Sequence, residues 1–374
     1  PDSTLEGLAA LMAEPGFSGT RLAAAHGFTP TYVVPVLLGV LLAALFPVAL
    51  TLAYGLFYYG NGDVWVIAPH LLAIAPVAVL GVGPASLWGS TVLGFALELV
   101  VLARIYAWLG GARWLGWLAA AVTLLAWSRL HIRFVYIQLA YGYGAVLYLA
   151  VIAAFAAVAS AAAAPRRRWL GVIALVVVGA VQNPTRGLVF VVAPLLVACA
   201  WPWRGLAWRR RLALAGAVGA GGAIAAGLYH GVLVRLVAFA YPPGHIDFAL
   251  VGHVRDVGLN LARLWDGVQT LAGGGRHLTL ATAPGTIVLV GALALVVREV
   301  VRARELTALR VVCVAVLAQL AGVLAPLVIG NLMIASTSAR YLMPSLLGVV
   351  GLGAVLAVRA LGEAAATARV LAVG

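Results

Sequence analysis

The sequence predicts an all-α, polytopic membrane protein with about ten spans, on a rule of roughly 20 apolar residues per crossing. Three observations carry this. Of the 374 residues, 64% are hydrophobic and only 9% are charged, too few charges to cover a water-facing surface. The mean hydropathy is strongly positive, at +1.08. The apolar residues fall in long unbroken runs rather than alternating, which selects helices over a barrel.

Taken in order, the runs are 31–58, 85–109, 114–128, 134–164, 169–181, 187–203, 212–240, 284–297, 311–335 and 341–358. Those at 114–128, 169–181 and 284–297 are short for a crossing. The stretch 64–83 is apolar too, but Pro69, Pro76 and Pro84 interrupt it, and each proline removes a donor and bends or breaks a helix. Residues 1–30 form a polar arm, too polar at its start for a signal peptide. The transmembrane domain is read over 31–361, and 362–374 as a cytoplasmic tail. No repeat of fixed period is visible.

The net charge of +13 would suggest nucleic acid in a soluble chain. Here it gathers in short loops, which is how membrane orientation is written, so no nucleic-acid partner is expected. All 24 basic residues are arginine. Arg166–Arg168, Arg204 with Arg209–Arg211, the group Arg298, Arg302, Arg304 and Arg310, and finally Arg359 and Arg369 form clusters. Placing these in the cytoplasm puts 182–186, 241–283 and 336–340 outside. If the first span starts inside, it delivers Asn61, Gly62 and Asp63 to the outside, and 64–83 lies along the interface without crossing; in the alternative, 64–83 crosses, residues 1–30 lie outside and Asp63 is cytoplasmic. Within the second external element, Val254 to Leu271 reads as an amphipathic surface helix. Cys199 and Cys313 both fall in apolar runs, which argues against a disulfide.

Only eleven carboxylates exist. Glu299, Glu305 and Glu363 sit among basic-loop arginines and read as solvated pairs. Asp2, Glu6 and Glu14 lie in the polar arm. Asp247, Asp256 and Asp266 share the second external loop with His245, His253, Arg255 and Arg263, at spacings that fit no zinc signature. Glu98 lies within a span, where a charge is costly and functional by default; Arg104 lies about two turns away on a similar face, and the other reading of Glu98 is a buried ion pair or hydrogen bond that holds helices together. Asp63 reads either as the N-cap of an Asn-Gly-Asp turn or as a general base at the membrane surface. Gln182, Asn183, Thr185, Arg186, Ser336, Ser338, Arg340 and Tyr341 fall on the same outer side. External arginines run against the orientation bias, and a fixed guanidinium that holds a lipid phosphate gives them a reason.

This layout resembles the GT-C class of membrane glycosyltransferases, similar to the protein O-mannosyltransferase and aminoarabinose transferase superfamily. The resemblance rests on Asn61-Gly62-Asp63 just after the first span, Pro69-His70, Leu80-Gly81-Val82-Gly83 leading into the next span, the short pair 114–128 and 134–164, and Ser338-Ala339-Arg340-Tyr341-Leu342-Met343-Pro344 opening a late span. It covers most of 31–358. This chain departs from the class in carrying one first-loop acid rather than a pair, in a short first loop, and in having no large soluble domain after the last span. The resemblance implies inverting transfer of a sugar from a polyprenyl-phosphate carrier to an acceptor hydroxyl on the outer face of a bacterial inner (cytoplasmic) membrane. Asp63 would be the general base, and Arg340 with Arg186 would neutralise the carrier phosphate. His70 and Tyr341 would assist in binding. Membrane lipids and the lipid-linked donor are the expected partners. No protein metal ligand is assigned, although a divalent ion remains compatible with the class. Two other readings stay open: a transporter or lipid flippase using Glu98, and a surface-polysaccharide polymerase or ligase built on the large external loop.

Overall fold

The computed structural model describes residues 75–81, 84–124, 140–181, 183–233, 250–271, 283–331, 333 and 336–373. The described residues are helical, with two isolated backbone bridges and no strand among them. Ten helices are numbered here: α1 Pro84–Gly110, α2 Arg113–Leu124, α3 Ala140–Ser160, α4 Arg166–Val181, α5 Pro184–Ala200, α6 Trp208–Leu228, α7 Val254–Leu271, α8 Ala283–Val301, α9 Ala308–Ile329 and α10 Met343–Val373. A 3₁₀ segment, Ser336–Leu342, leads into α10. Among the described residues, six stretches are long and apolar enough to cross a membrane: Val92–Gly110, Tyr143–Ser160, Trp208–Val232, Pro284–Val301, Ala308–Ile329 and Ser338–Gly362. The first predicted span, 31–58, lies outside the described residues. α10 continues to Val373, through the boundary read at 361.

The chain divides into two compact units, 1–90 with 227–245, and 91–226 with 246–374. In the first, a short helix at 75–80 ends at Gly81, whose φ of +75° suits a residue without a Cβ. This helix lies close to the start of α1: a Cβ on Gly89 would come within 3.1 Å of Pro76 and 3.3 Å of Leu80. Val79 and Leu80 are exposed.

The second unit holds the large core. α1 turns into α2 through Gly111, at φ +80°, and the hairpin is tight enough that a Cβ on Gly116 would strike Ala103 O and Ala107. Small residues do the same elsewhere: Gly221 faces Val176, Gly187 meets Ala180, and Gly353 meets Ala292. Such contacts are how helices approach closely when no hydrophobic effect between helices drives them together. Tyr106 is fully buried between α2 and α10, its hydroxyl beside Thr123 at 3.4 Å and against Gly351.

One end of this unit is basic, and its arginines finish helices. Arg210 donates to the carbonyls of Val158 in the last turn of α3 and of Ala161 and Ala162 just past it. Arg211 donates to Trp201 O at 2.6 Å and Trp203 O at 2.9 Å past the end of α5. Arg359 donates to Leu109 O in the last turn of α1 at 2.7 Å. Arg310 pairs with Glu299 at 2.8 Å and Glu305 at 3.1 Å. Helix ends leave carbonyls without intrahelical donors and carry partial negative charge, so a guanidinium there satisfies both needs.

Candidate functional site: two arginines on one tyrosine

At the end of the unit remote from these loops, α4 passes to α5 through a compact turn. Asn183 is extended (φ −156°, ψ 103°) and its side chain accepts from Arg186 N at 3.0 Å, an N-cap that fixes the first turn of α5 with Pro184 inside it. Leu188–Val192 then widens into a π turn, a local insertion of a kind often found at functional sites. Pro194 has no N–H to return to the preceding turn. The Phe190 carbonyl is instead bonded by Gln319 Nε2 of α9 at 2.7 Å, and Gln319 Oε1 accepts from Ser345 Oγ of α10 at 3.1 Å. One buried glutamine therefore locks α5, α9 and α10 in register, a few residues below both arginines of interest. Tyr148 of α3 stacks on Phe190 with centroids 5.1 Å apart and planes 7° from parallel.

The other half of the site comes from the 3₁₀ segment. Ala339 and Leu342 are buried and hold it down, while Arg340 and Tyr341 are half-buried. The Arg340 guanidinium carbon lies 5.1 Å from the Tyr341 ring centroid and that of Arg186 lies 5.5 Å from it. Arg340 Nη2 also reaches the Tyr341 hydroxyl at 3.5 Å. Two cations from separate elements thus share one aromatic ring, within the range of cation–π attraction. The two distances to the ring place the cations at most ~11 Å apart, where at an effective dielectric of about 20 they repel by about 1–2 kcal/mol or more. The ring offsets part of that cost, and an anion between the two would offset more.

α7 braces this segment from the side. Asn260 Nδ2 donates to Val328 O at 3.0 Å and Gly330 O at 2.8 Å, at the end of α9, and Arg263 Nη1 donates to Met333 O at 2.8 Å. Val251 N adds a bond to Ile329 O at 2.9 Å. The helix matches the range read from the sequence. Its polar residues are not all on a wet face, however, because Asn260 and Gln269 are buried.

Of the residues singled out from sequence, Arg186, Arg340 and Tyr341 come together. Asp63 and His70 lie outside the described residues, as do Asp247 and His245. The pairing of Glu98 with Arg104 is corrected. Six residues along a helix is a rotation of about 600°, which leaves the two some 120° apart around the axis. Arg104 is exposed while Glu98 is 2% exposed, and neither carboxylate oxygen of Glu98 has a hydrogen-bond partner among the described residues. Gln319 carries no charge and so does not stand out among ionisable groups; its sequence signal is a lone amide in an otherwise apolar span. Among the described residues, no three His, Cys, Asp or Glu side chains group in a way that could hold a metal ion. Cys199 and Cys313 are both free and buried.

No protein family, curated protein or solved structure matches the chain.

Proposed function

We propose that this chain is a membrane glycosyltransferase of the GT-C type, with about ten spans in a bacterial inner membrane and its active site on the outer face. The observation that carries the reading is the meeting of Arg186 and Arg340 over Tyr341, at the end of the helical unit remote from the basic loops. Basic loops favour the cytoplasm, so the arginine pair belongs to the outer side. There it suits a membrane-borne phosphate: two guanidiniums provide several donors in fixed planes, which match phosphate oxygens.

The reaction follows from that charge. The acceptor oxygen attacks the anomeric carbon as Asp63 takes its proton, the bond from that carbon to the phosphate oxygen breaks, and polyprenyl phosphate leaves with the electron pair. Negative charge grows on the departing phosphate. Arg186 and Arg340 stabilise it more in the transition state than in the bound donor, which is the requirement for catalysis. Because the leaving group is a stable anion, no strong general acid is required. His70 assists in the first loop, and Tyr341 holds the two cations in their planes.

Topology tests this without knowledge of the sugar. In a chain with Cys199→Ser and Cys313→Ser, single cysteines at Asn61, Gly83 and Ser336 should all react in intact cells with a membrane-impermeant thiol reagent. Protection at Asn61 with labelling at Gly83 would place Asp63 in the cytoplasm, apart from the arginines, and end the assignment.

A further inference from the structure

Glu98 is the one acidic side chain buried among the described residues of the second unit that no hydrogen bond or ion pair explains. Unpartnered buried carboxyls are expensive, and more so within a segment that spans a membrane. Its place in the bundle gives it a use.

Two independent registers set its depth. Along α10, Tyr106 meets Gly351 and Gly110 meets Val355, so α1 and α10 run parallel with a constant offset. Glu98 lies eight residues before Tyr106, and Met343 lies eight residues before Gly351. Both steps are about 12 Å at 1.5 Å per residue, so Glu98 is level with Met343, roughly one turn below Arg340. The second register passes through α3. Tyr148 stacks on Phe190, and Val151 and Val191 both face Gly179, so α3 and α5 also run parallel. Five residues back from Tyr148 is Tyr143, which falls level with 183–185, next to Arg186. Tyr143 and Glu98 are close enough to interact electrostatically. Both routes reach the level of the arginine pair.

Direction agrees with depth. Glu98 shares a stripe of α1 with Leu102, Tyr106 and Leu109, all buried, and this stripe faces α10, through Gly351 and the Arg359 bond to Leu109 O. A helical side chain leans toward the N-terminus of its helix. For α1 that is toward the arginine end, so the carboxyl reaches closer to the pair than its Cα does.

We propose that Glu98 is a third member of the Arg186–Arg340 site, a hydrogen-bonding group for a hydroxyl of the same membrane-borne phosphate ligand whose phosphate the arginines hold. A carboxyl with no hydrogen-bond partner among the described residues leaves its hydrogen-bonding capacity for such a hydroxyl. The inference rests on the phosphate site proposed above.

The test uses the full chain in lipid nanodiscs and dicyclohexylcarbodiimide, a lipid-soluble reagent that modifies carboxyls in apolar surroundings. Modification is located by mass spectrometry of the Glu98 peptide, and Glu98→Gln marks the background. The probe is a polyprenyl phosphate bearing a hexose, with its binding to the same nanodiscs measured separately. Modification of Glu98 should be evident without lipid, slow by tenfold or more when the lipid is bound, and regain its rate in Arg340→Gln. Lipid that binds without protecting Glu98 would overturn the inference and leave the phosphate site standing. No binding of the lipid to the wild-type chain would overturn both. A Glu98 that resists the reagent in the lipid-free protein would overturn the inference, since the carboxyl would then be closed to the membrane side.

Discussion

The two ends of the larger unit use the same residue in opposite ways. At the basic end, Arg210, Arg211 and Arg359 donate to backbone carbonyls at or past helix ends, and Arg310 lies between two glutamates. Each of these cations is placed where the fold already carries negative charge. At the other end, Arg186 and Arg340 are brought toward each other over a tyrosine ring. Bringing like charges together costs stability, and a fold retains such an arrangement when something else repays it. The comparison separates arginines that hold helix ends in place from a pair gathered on one aromatic ring.

The sharpest way to break that comparison is to remove one cation from each end. Arg340→Gln should lower turnover of a polyprenyl-phosphate sugar by about 100-fold or more, the scale of losing one transition-state donor, with little change in melting temperature. Arg359→Gln should do the reverse, because it strips a bond from Leu109 O and leaves the site intact. Equal losses of activity in both variants would erase the distinction. Smaller effects belong to the ring between the cations. Tyr341→Phe keeps the aromatic face and should retain lipid affinity within about threefold, while Tyr341→Leu should weaken it about tenfold, as two lost cation–π contacts of roughly 0.5–1 kcal/mol each would require. Equilibrium binding of the lipid phosphate measures both.

Below the site, Gln319→Leu removes the donor to Phe190 O and the acceptor of Ser345, and should cost about 1–3 kcal/mol. Adding Pro194→Ala returns an N–H to that turn of α5 and should recover part of the loss in thermal unfolding. A double variant no better than the single one would show that Gln319 acts by packing alone. The smallest effect should come from Glu305→Gln, which leaves the Arg310–Glu299 pair in place. Glu305 is 76% exposed, and pairs in water contribute at most about 1 kcal/mol to thermal stability.

Much of this fold was legible in the sequence. Long apolar runs located the helices, and the amphipathic pattern placed α7 at Val254–Leu271. That Arg186, Arg340 and Tyr341 fall at the end remote from the basic loops followed from the order of runs and charged loops. That the three share a ring did not, because it depends on the 3₁₀ path of Ser336–Leu342 and the Asn183 cap, geometry that apolar periodicity does not encode. Glu98 and Arg104 do not pair for a simple reason: six residues is not a whole number of turns, so neighbours in sequence fall on different faces. Gln319 and Asn260 act through single bonds to distant carbonyls, which no local pattern announces. Asp63 and His70 rest on the sequence reading alone, since the described residues begin after them.

The central claim is that Arg186 and Arg340 form a lipid-phosphate site while the basic-end arginines do not. It is tested most directly by binding a polyprenyl phosphate to the purified chain in nanodiscs, comparing wild type, Arg186→Gln, Arg340→Gln and Arg359→Gln. The account predicts saturable binding to wild type and Arg359→Gln, weakened at least tenfold in each of the other two. Binding unchanged by Arg186→Gln and Arg340→Gln, or lost with Arg359→Gln alone, would contradict it.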